Sequence, residues 1–267
     1  MPVLLVVGVC LVLGALAGVL SGLLGIGGGL IIVPTLAWLL PQMGIEHQLV
    51  MPMALATSLA TICVTGTSSV MAHQRRSSVP WQQARWLVMG MIIGGLLGAQ
   101  VASLMSGLWL KRFFAVFLFF SAWRMLMRKA QPLPSEQLRL SNPALGGINV
   151  GVGVISSMLG IGGGTLLVPL LTFAGMALTQ AVAAAATCTL AVAVAGSLSY
   201  AINGLQQTGL PDGSFGYLYL PALLALLPGA FFMAPLGVRL LHKVPAQKIK
   251  LGFAALLVLV GLEMLLN

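Results

Sequence analysis

The sequence has very little charge. Its 267 residues include 13 Lys and Arg and four Asp and Glu, so that charged residues make up 6% of the chain. In a soluble domain roughly a quarter of the residues are charged, so this composition excludes a soluble domain. Hydrophobic residues account for 59% of the chain, in long uncharged runs that do not alternate as barrel strands do. We therefore expect an all-α integral membrane protein.

Acidic residues are especially scarce. They are Glu46, Glu136, Asp212 and Glu263, and only Glu263 lies within an apolar run. Carriers coupled to protons or sodium usually keep an ionisable residue at membrane depth, because such costly groups are retained for function. With no clear coupling carboxylate, three options stay open: H+ coupling through His73, Na+ bound by carbonyls and hydroxyls, or uniport driven by the membrane potential.

Cysteine is also rare, and the catalytic motifs are missing. Cys10, Cys63 and Cys188 form an odd, dispersed set without the spacing of a metal site or a disulfide framework. The apolar runs contain no carboxylate pair, HExxH motif or Ser/His/Asp set, so we expect neither an enzyme nor a cofactor or metal. The basic residues lie in short loops and form no continuous face, which argues against nucleic acid as a partner.

One glycine-rich phrase of thirteen residues occurs twice, at 22–34 and again 135 positions later at 157–169. Weaker matches extend the repeat beyond the glycines, including Thr57 over Thr187 and Gly98 over Gly237. We divide the chain into a first transmembrane repeat at 1–130, a cytoplasmic linker at 131–142 and a second transmembrane repeat at 143–267. Each repeat should hold a glycine-broken helical segment and three transmembrane helices, giving roughly 8 to 10 membrane segments.

The basic residues predict the orientation of the repeats. Of the 13 Lys and Arg, 11 fall in three clusters, within 75–85, 124–139 and 239–250. The positive-inside rule makes all three clusters cytoplasmic. Each repeat then crosses an odd net number of times, so the two repeats are inverted and both termini lie outside. Lys111 and Arg112 are exceptions, because this scheme places them outside as well.

The two glycine phrases are the predicted substrate site. In inverted-repeat transporters the substrate lies near the membrane midplane, where broken helices of the two halves face each other. Half-helices starting near Gly29 and Gly164 would direct free N–H groups and positive dipole ends at the breaks, where an anion could bind. The alternative is a tight helical hairpin without a ligand. The candidate glycines are Gly25, Gly27, Gly28, Gly29, Gly160, Gly162, Gly163 and Gly164.

Polar side chains follow each break at the start of the next helix. Thr57 and Ser58 in the first repeat, and Thr187 and Cys188 in the second, are the side-chain candidates for substrate binding. Hydroxyls can donate to an anion, although in membrane helices they commonly bond the carbonyl four residues earlier or a neighbouring helix. Glycines spaced by four, as in the stripe that starts at Gly90, instead indicate close helix packing.

The repeated motif Leu-Gly-Ile-Gly-Gly-Gly-x-x-x-Val-Pro, each copy followed by an Ala-Thr-Ser-Leu-like helix, resembles the sulfite exporter TauE/SafE family over essentially the whole chain. The resemblance implies a multi-pass permease of the bacterial inner membrane. Its cargo would be a small sulfur-containing anion such as sulfite or an organosulfonate, and export is preferred. The expected partners are this anion, the lipid bilayer and an H+ or Na+ coupling ion, with the oligomeric state open.

Two other functions stay open at this point. The first is a membrane-embedded sulfur-relay protein in which Cys63 and Cys188 carry sulfur covalently. Against it, neither cysteine has a cysteine as its counterpart in the other repeat. The second is an anion channel that uses the glycine phrases as its filter. A channel would show throughput too fast for alternating access and no counterflow.

Overall fold

The computed structural model describes residues 3–24, 28–74, 81–127, 142–176, 178–241 and 246–266. Gly25 and Gly27, and all of the predicted linker except Asn142, lie outside the described residues. Within the described ranges the chain is mostly helical, in agreement with the predicted class. A short two-stranded hairpin between the eighth and ninth helices is a departure that the sequence analysis did not predict.

Each repeat has two helices that flank its glycine break and three further helices. The first repeat contains α1 (Val3–Leu24), α2 (Gly29–Gln42), α3 (His47–Gln74), α4 (Trp81–Leu104) and α5 (Gly107–Met127). The second contains α6 (Asn142–Met158), α7 (Gly164–Phe173), α8 (Leu178–Gly204), β1 (Ser214–Phe215), β2 (Leu218–Tyr219), α9 (Leu220–Leu241) and α10 (Ala246–Leu266).

Helix length separates spanning helices from half-helices. Among the described residues, three stretches are long and apolar enough to cross a membrane, namely 47–71, 84–104 and 180–204. The helix after each break is much shorter, with 14 residues in α2 and 10 in α7. At 1.5 Å per residue these helices extend about 21 and 15 Å, short of the ~30 Å hydrocarbon core. Each therefore reaches only part of the way across.

Glycine stripes join α1 to α9 and α4 to α6, the two most extensive helix contacts in the fold. A Cβ atom on Gly18 would lie 2.6 Å from the Ala230 carbonyl oxygen, and one on Gly98 would lie 2.8 Å from the Val154 Cα. Real side chains cannot approach a backbone that closely, so these positions need glycine. The glycine spacing in α1 and α4 thus serves close packing, as expected.

The centre of the molecule is formed by α3 and α8, which pack against each other. Every residue from Leu49 to Ile62 of α3 is buried. In addition, α3 contacts α2 and α9, while α8 contacts α4 and α7. These two helices carry Thr57 and Ser58 in one repeat and Thr187 and Cys188 in the other, so the predicted side chains lie in the interior.

Candidate functional site

The two glycine phrases break the helices where the sequence predicted. The half-helix α2 begins at Gly29 and α7 begins at Gly164. Gly28 has a φ of +78° and Gly160 a φ of +62°, in the left-handed region that favours glycine. The first N–H groups of a helix have no partner inside it, so both half-helices present free donors at the breaks.

The two breaks touch each other. A Cβ atom on Gly29 would lie 2.5 Å from the Gly160 carbonyl oxygen and 3.0 Å from the Ile161 Cα, so the start of α2 packs directly on the second break. The helices flanking each break pack mainly on other helices, α1 on α9 and α6 on α4. A tight hairpin would keep its two arms in contact along their length, so neither break has that form.

Two of the predicted side chains connect the repeats. Ser58 is fully buried, and its hydroxyl donates to the Gly160 carbonyl oxygen at 2.7 Å. Thr57 is also fully buried, and its Oγ1 accepts the Tyr219 backbone N–H at 3.1 Å. Neighbouring residues of α3 thus fix the second break and the end of the β-hairpin. Both hydroxyls bond to backbone groups of the other repeat.

The predicted pair on α8 has different surroundings. Thr187 donates to the Ala183 carbonyl oxygen at 3.1 Å, which is the common use of a threonine in a membrane helix. Cys188 is buried with its Sγ 4.0 Å from Asn149 Nδ2. Asn149 also donates to the Leu87 carbonyl oxygen at 3.0 Å. Its Oδ1 has no hydrogen-bond partner among the described residues.

Three further hydroxyls surround the second break, and sequence analysis did not select them as site residues. Ser156 Oγ lies 3.3 Å from the position that a Cβ atom on Gly163 would take, where the Met91 methyl group is the nearest neighbour. Thr189 directs its methyl group at the same position on Gly162, with its Oγ1 3.3 Å away. Thr165 is the second residue of α7. In the part of the chain that the structure describes, the buried hydroxyl oxygens of Ser156 and Thr165 have no hydrogen-bond partner.

The site has no charged side chain of its own. The sequences of α2, α6, α7 and α8 contain no Lys, Arg, Asp or Glu. The single charged residue of α4, Arg85, is exposed, and its guanidinium lies 5.9 Å from the centre of the Trp86 ring. Within the described residues there is also no His, Cys, Asp and Glu cluster that could hold a metal ion. Positive potential at the breaks therefore comes from helix N termini and polar hydrogens.

Comparison with known proteins identifies the class. The model of the sulfite exporter TauE/SafE family matches residues 10–264, and the chain belongs to this family. A probable membrane transporter protein of Haemophilus influenzae is 37% identical over 263 residues, which cover 97% of each chain. The probable membrane transporter protein YunE of Bacillus subtilis is 29% identical, with 96% of each chain covered.

The likeness extends to archaea. A probable membrane transporter protein of Methanocaldococcus jannaschii is 24% identical, over 98% of this chain and 97% of its own. No solved structure gives a significant match. The family and its helices make this chain a multi-pass membrane transporter.

Proposed function

We propose that the protein is a secondary transporter that exports small sulfur-containing anions, such as sulfite or organosulfonates, and holds them where the two glycine-broken helices meet. The observation that carries this proposal is the contact between Gly29 and Gly160. It brings two breaks that are 135 positions apart in the sequence into one place. Two half-helix starts near one point can stabilise an anion without a buried Lys or Arg.

The helix packing supports two repeats related by a two-fold axis. If α1 to α5 correspond in order to α6 to α10, the contact of α1 with α9 is the counterpart of the contact of α6 with α4. Helices α3 and α5 pack against their own counterparts, α8 and α10. Together with the three Lys- and Arg-rich clusters, this arrangement supports inverted repeats. Movement of one repeat against the other would then expose the site alternately on the two sides.

Orientation and direction follow from the same clusters and from the membrane potential. We place the clusters in the cytoplasm, both termini outside and the protein in the bacterial inner membrane. A negative interior favours exit of an anion by ~2.3 kcal/mol per charge for each 100 mV. Export of a singly charged anion therefore needs no coupling ion, although H+ or Na+ coupling is compatible with the same site.

The residues of the site have distinct roles in this proposal. Gly162, Gly163 and Gly164 expose backbone N–H groups to the substrate, and Gly28 and Gly29 form the facing wall. Gly160 shapes the break, and its own N–H donates to the Ser157 carbonyl oxygen at 3.1 Å. Thr57 and Ser58 hold the second break in position through their bonds to the other repeat. Thr187 and Cys188 belong to α8, the helix that packs against α7 after the second break.

The test is transport by purified protein in proteoliposomes. Efflux of labelled sulfite, sulfate, thiosulfate and sulfoacetate is measured with and without an imposed potential or pH gradient. We expect saturable efflux of at least one sulfur anion. Other anions that bind the same site should inhibit this efflux by competition. Flux of none of them would refute the proposed cargo. Flux that does not saturate would favour a channel, because a channel does not undergo one conformational cycle for each anion.

A further inference from the structure

Three hydroxyls converge on the N terminus of α7 from three different helices. Ser156 comes from α6, Thr165 from α7 itself and Thr189 from α8. Ser156 is fully buried and Thr189 is 8% exposed. The hydroxyls of Ser156 and Thr189 flank Gly163 and Gly162 at the distances given above, and Thr165 follows directly in the first turn.

The buried hydroxyls of Ser156 and Thr165 have no hydrogen-bond partner among the described residues, and outside the helices the same holds for Ser214. Other helix hydroxyls bond a carbonyl oxygen, either four residues earlier, at 2.8 Å for Thr35 and 3.0 Å for Thr172, or on another segment, at 2.8 Å from Ser157 to Gly95. A buried hydroxyl without a partner costs free energy. Inside α6 the Val152 carbonyl oxygen is in position to accept from Ser156, whereas Thr165, the second residue of α7, has no helical carbonyl four residues before it. Two unpaired hydroxyls beside one helix N terminus therefore point to a ligand.

The first break does not repeat this set. The positions of the first repeat that correspond to Ser156, Thr165 and Thr189 are occupied by Ser21, Leu30 and Leu59. Leu30 and Leu59 are both buried. Two of the three hydroxyls are thus replaced by apolar side chains, and the polar contacts to a substrate are concentrated at the second break.

The charge of the ligand follows from what surrounds it. The Born cost of dehydrating an ion grows with the square of its charge, so a dianion costs roughly four times as much as a monoanion of the same size. Hydroxyls and helix N termini supply partial charges only. The helices α2, α6, α7 and α8 provide no cation to balance a second negative charge.

We propose that Ser156, Thr165 and Thr189, with the N terminus of α7, bind the oxygens of a singly charged oxyanion, and that an anion able to carry two charges is bound in its singly protonated form. The proposal rests on the proposed function and specifies its substrate class. A sulfonate satisfies the requirement at every physiological pH. Sulfite satisfies it as hydrogensulfite, so one proton crosses the membrane on the substrate without a carboxylate in the protein.

A change in the charge of the protein's own groups between pH 6 and 8 would act on the transport of every substrate. On α2, α3, α4, α6, α7 and α8 the ionisable residues are His47, Cys63, His73, Arg85, Cys188 and Tyr200, and histidine is the type among them that ordinarily changes charge in this range. The guanidinium stays charged throughout, and a thiol and a phenol ordinarily titrate near pH 8.5 and 10. A pH effect that is seen with one substrate and not with another therefore arises from protonation of the substrate and not of the protein.

The test compares methanesulfonate, a permanent monoanion, with sulfite and sulfate in proteoliposomes between about pH 6 and about pH 8. We expect methanesulfonate flux to stay constant. At fixed total sulfite, the flux should decrease with rising pH, because the concentration of hydrogensulfite falls about tenfold for each pH unit above the second pKa of sulfite. Sulfate should neither cross nor compete well. Sulfite flux that rises with pH, or sulfate that competes as well as methanesulfonate, would overturn the inference and leave the proposed function intact. Failure of every anion would refute both.

Matched variants test the residues. Thr165→Val removes a hydroxyl at nearly constant volume and should raise the KM for methanesulfonate about tenfold, because a hydrogen bond to a charged group is lost. Thr165→Ser keeps the hydroxyl and should restore the wild-type KM. The control is Thr172→Val in the same helix, where the lost hydroxyl is bonded to the Val168 carbonyl oxygen. Equal KM values in Thr165→Val and Thr172→Val would overturn the assignment, provided both variants purify as folded protein.

Discussion

The contact between the two breaks predicts a large effect from one methyl group. In Gly29→Ala the new Cβ atom would lie 2.5 Å from the Gly160 carbonyl oxygen and 3.0 Å from the Ile161 Cα. Ordinary van der Waals contacts of a Cβ atom begin near 3.4 Å, so the breaks must separate by about 0.9 Å. Neither neighbouring atom is the flexible end of a side chain. Overpacking of this kind costs about 1–3 kcal/mol.

Thermal unfolding in detergent and sulfite efflux in proteoliposomes measure the two consequences. A loss of 1 kcal/mol lowers the Tm of a protein of this size by about 2–4 °C, so Gly29→Ala should unfold several degrees below wild type and lose most of its transport. Gly8→Ala in α1 is the control, because a Cβ atom there has no neighbour within 4 Å and alanine favours the helix. Wild-type Tm and efflux in Gly29→Ala would refute the reasoning.

Three other predictions concern the same region. Ser58→Ala leaves the second break without its 2.7 Å hydrogen bond and should lower the free energy of unfolding by about 1 kcal/mol, measured by thermal unfolding, whereas Ser58→Thr keeps a hydroxyl and should lose less. Gly28→Leu and Gly163→Leu should each abolish efflux while membrane insertion stays normal. Normal transport in both would contradict the proposed site. Replacing Cys63 and Cys188 together with Ser should preserve efflux, and its loss would instead favour covalent sulfur relay.

The helix starts could be predicted from the sequence because they depend on local backbone chemistry. Consecutive glycines weaken a helix, and the first non-glycine residues after them, Leu30 and Thr165, open apolar helical runs. The structure accordingly starts α2 at Gly29 and α7 at Gly164. The glycine stripes were equally readable, since a spacing of four places small residues on one helix face.

The hydrogen-bond partners could not be predicted, because they depend on which helices meet. Ser58 and Thr187 look alike in sequence, yet one bonds a carbonyl of the other repeat and the other bonds its own helix. Ser156 and Asn149 lie in a glycine-rich apolar run, and nothing in that pattern distinguishes them from polar residues that serve only packing. Their surroundings become known only when α6 is packed against α4 and α8.

The β-hairpin was missed for a related reason. Its strands have two residues each, too few for an alternating pattern to be recognised. The turn signals were present, with Gly213 and Gly216 both at positive φ. What defines the hairpin is its contact with the central helices, where the Tyr219 N–H donates to Thr57 Oγ1 inside α3.

The central claim, that the two breaks hold an anion during alternating access, is tested most directly by counterflow. Proteoliposomes are loaded with unlabelled sulfite and diluted into a trace of labelled sulfite, with the membrane potential clamped at zero. A carrier with one alternating site predicts transient accumulation of label above its equilibrium level, absent in Gly163→Leu. Monotonic equilibration without an overshoot in the wild-type protein would contradict the account.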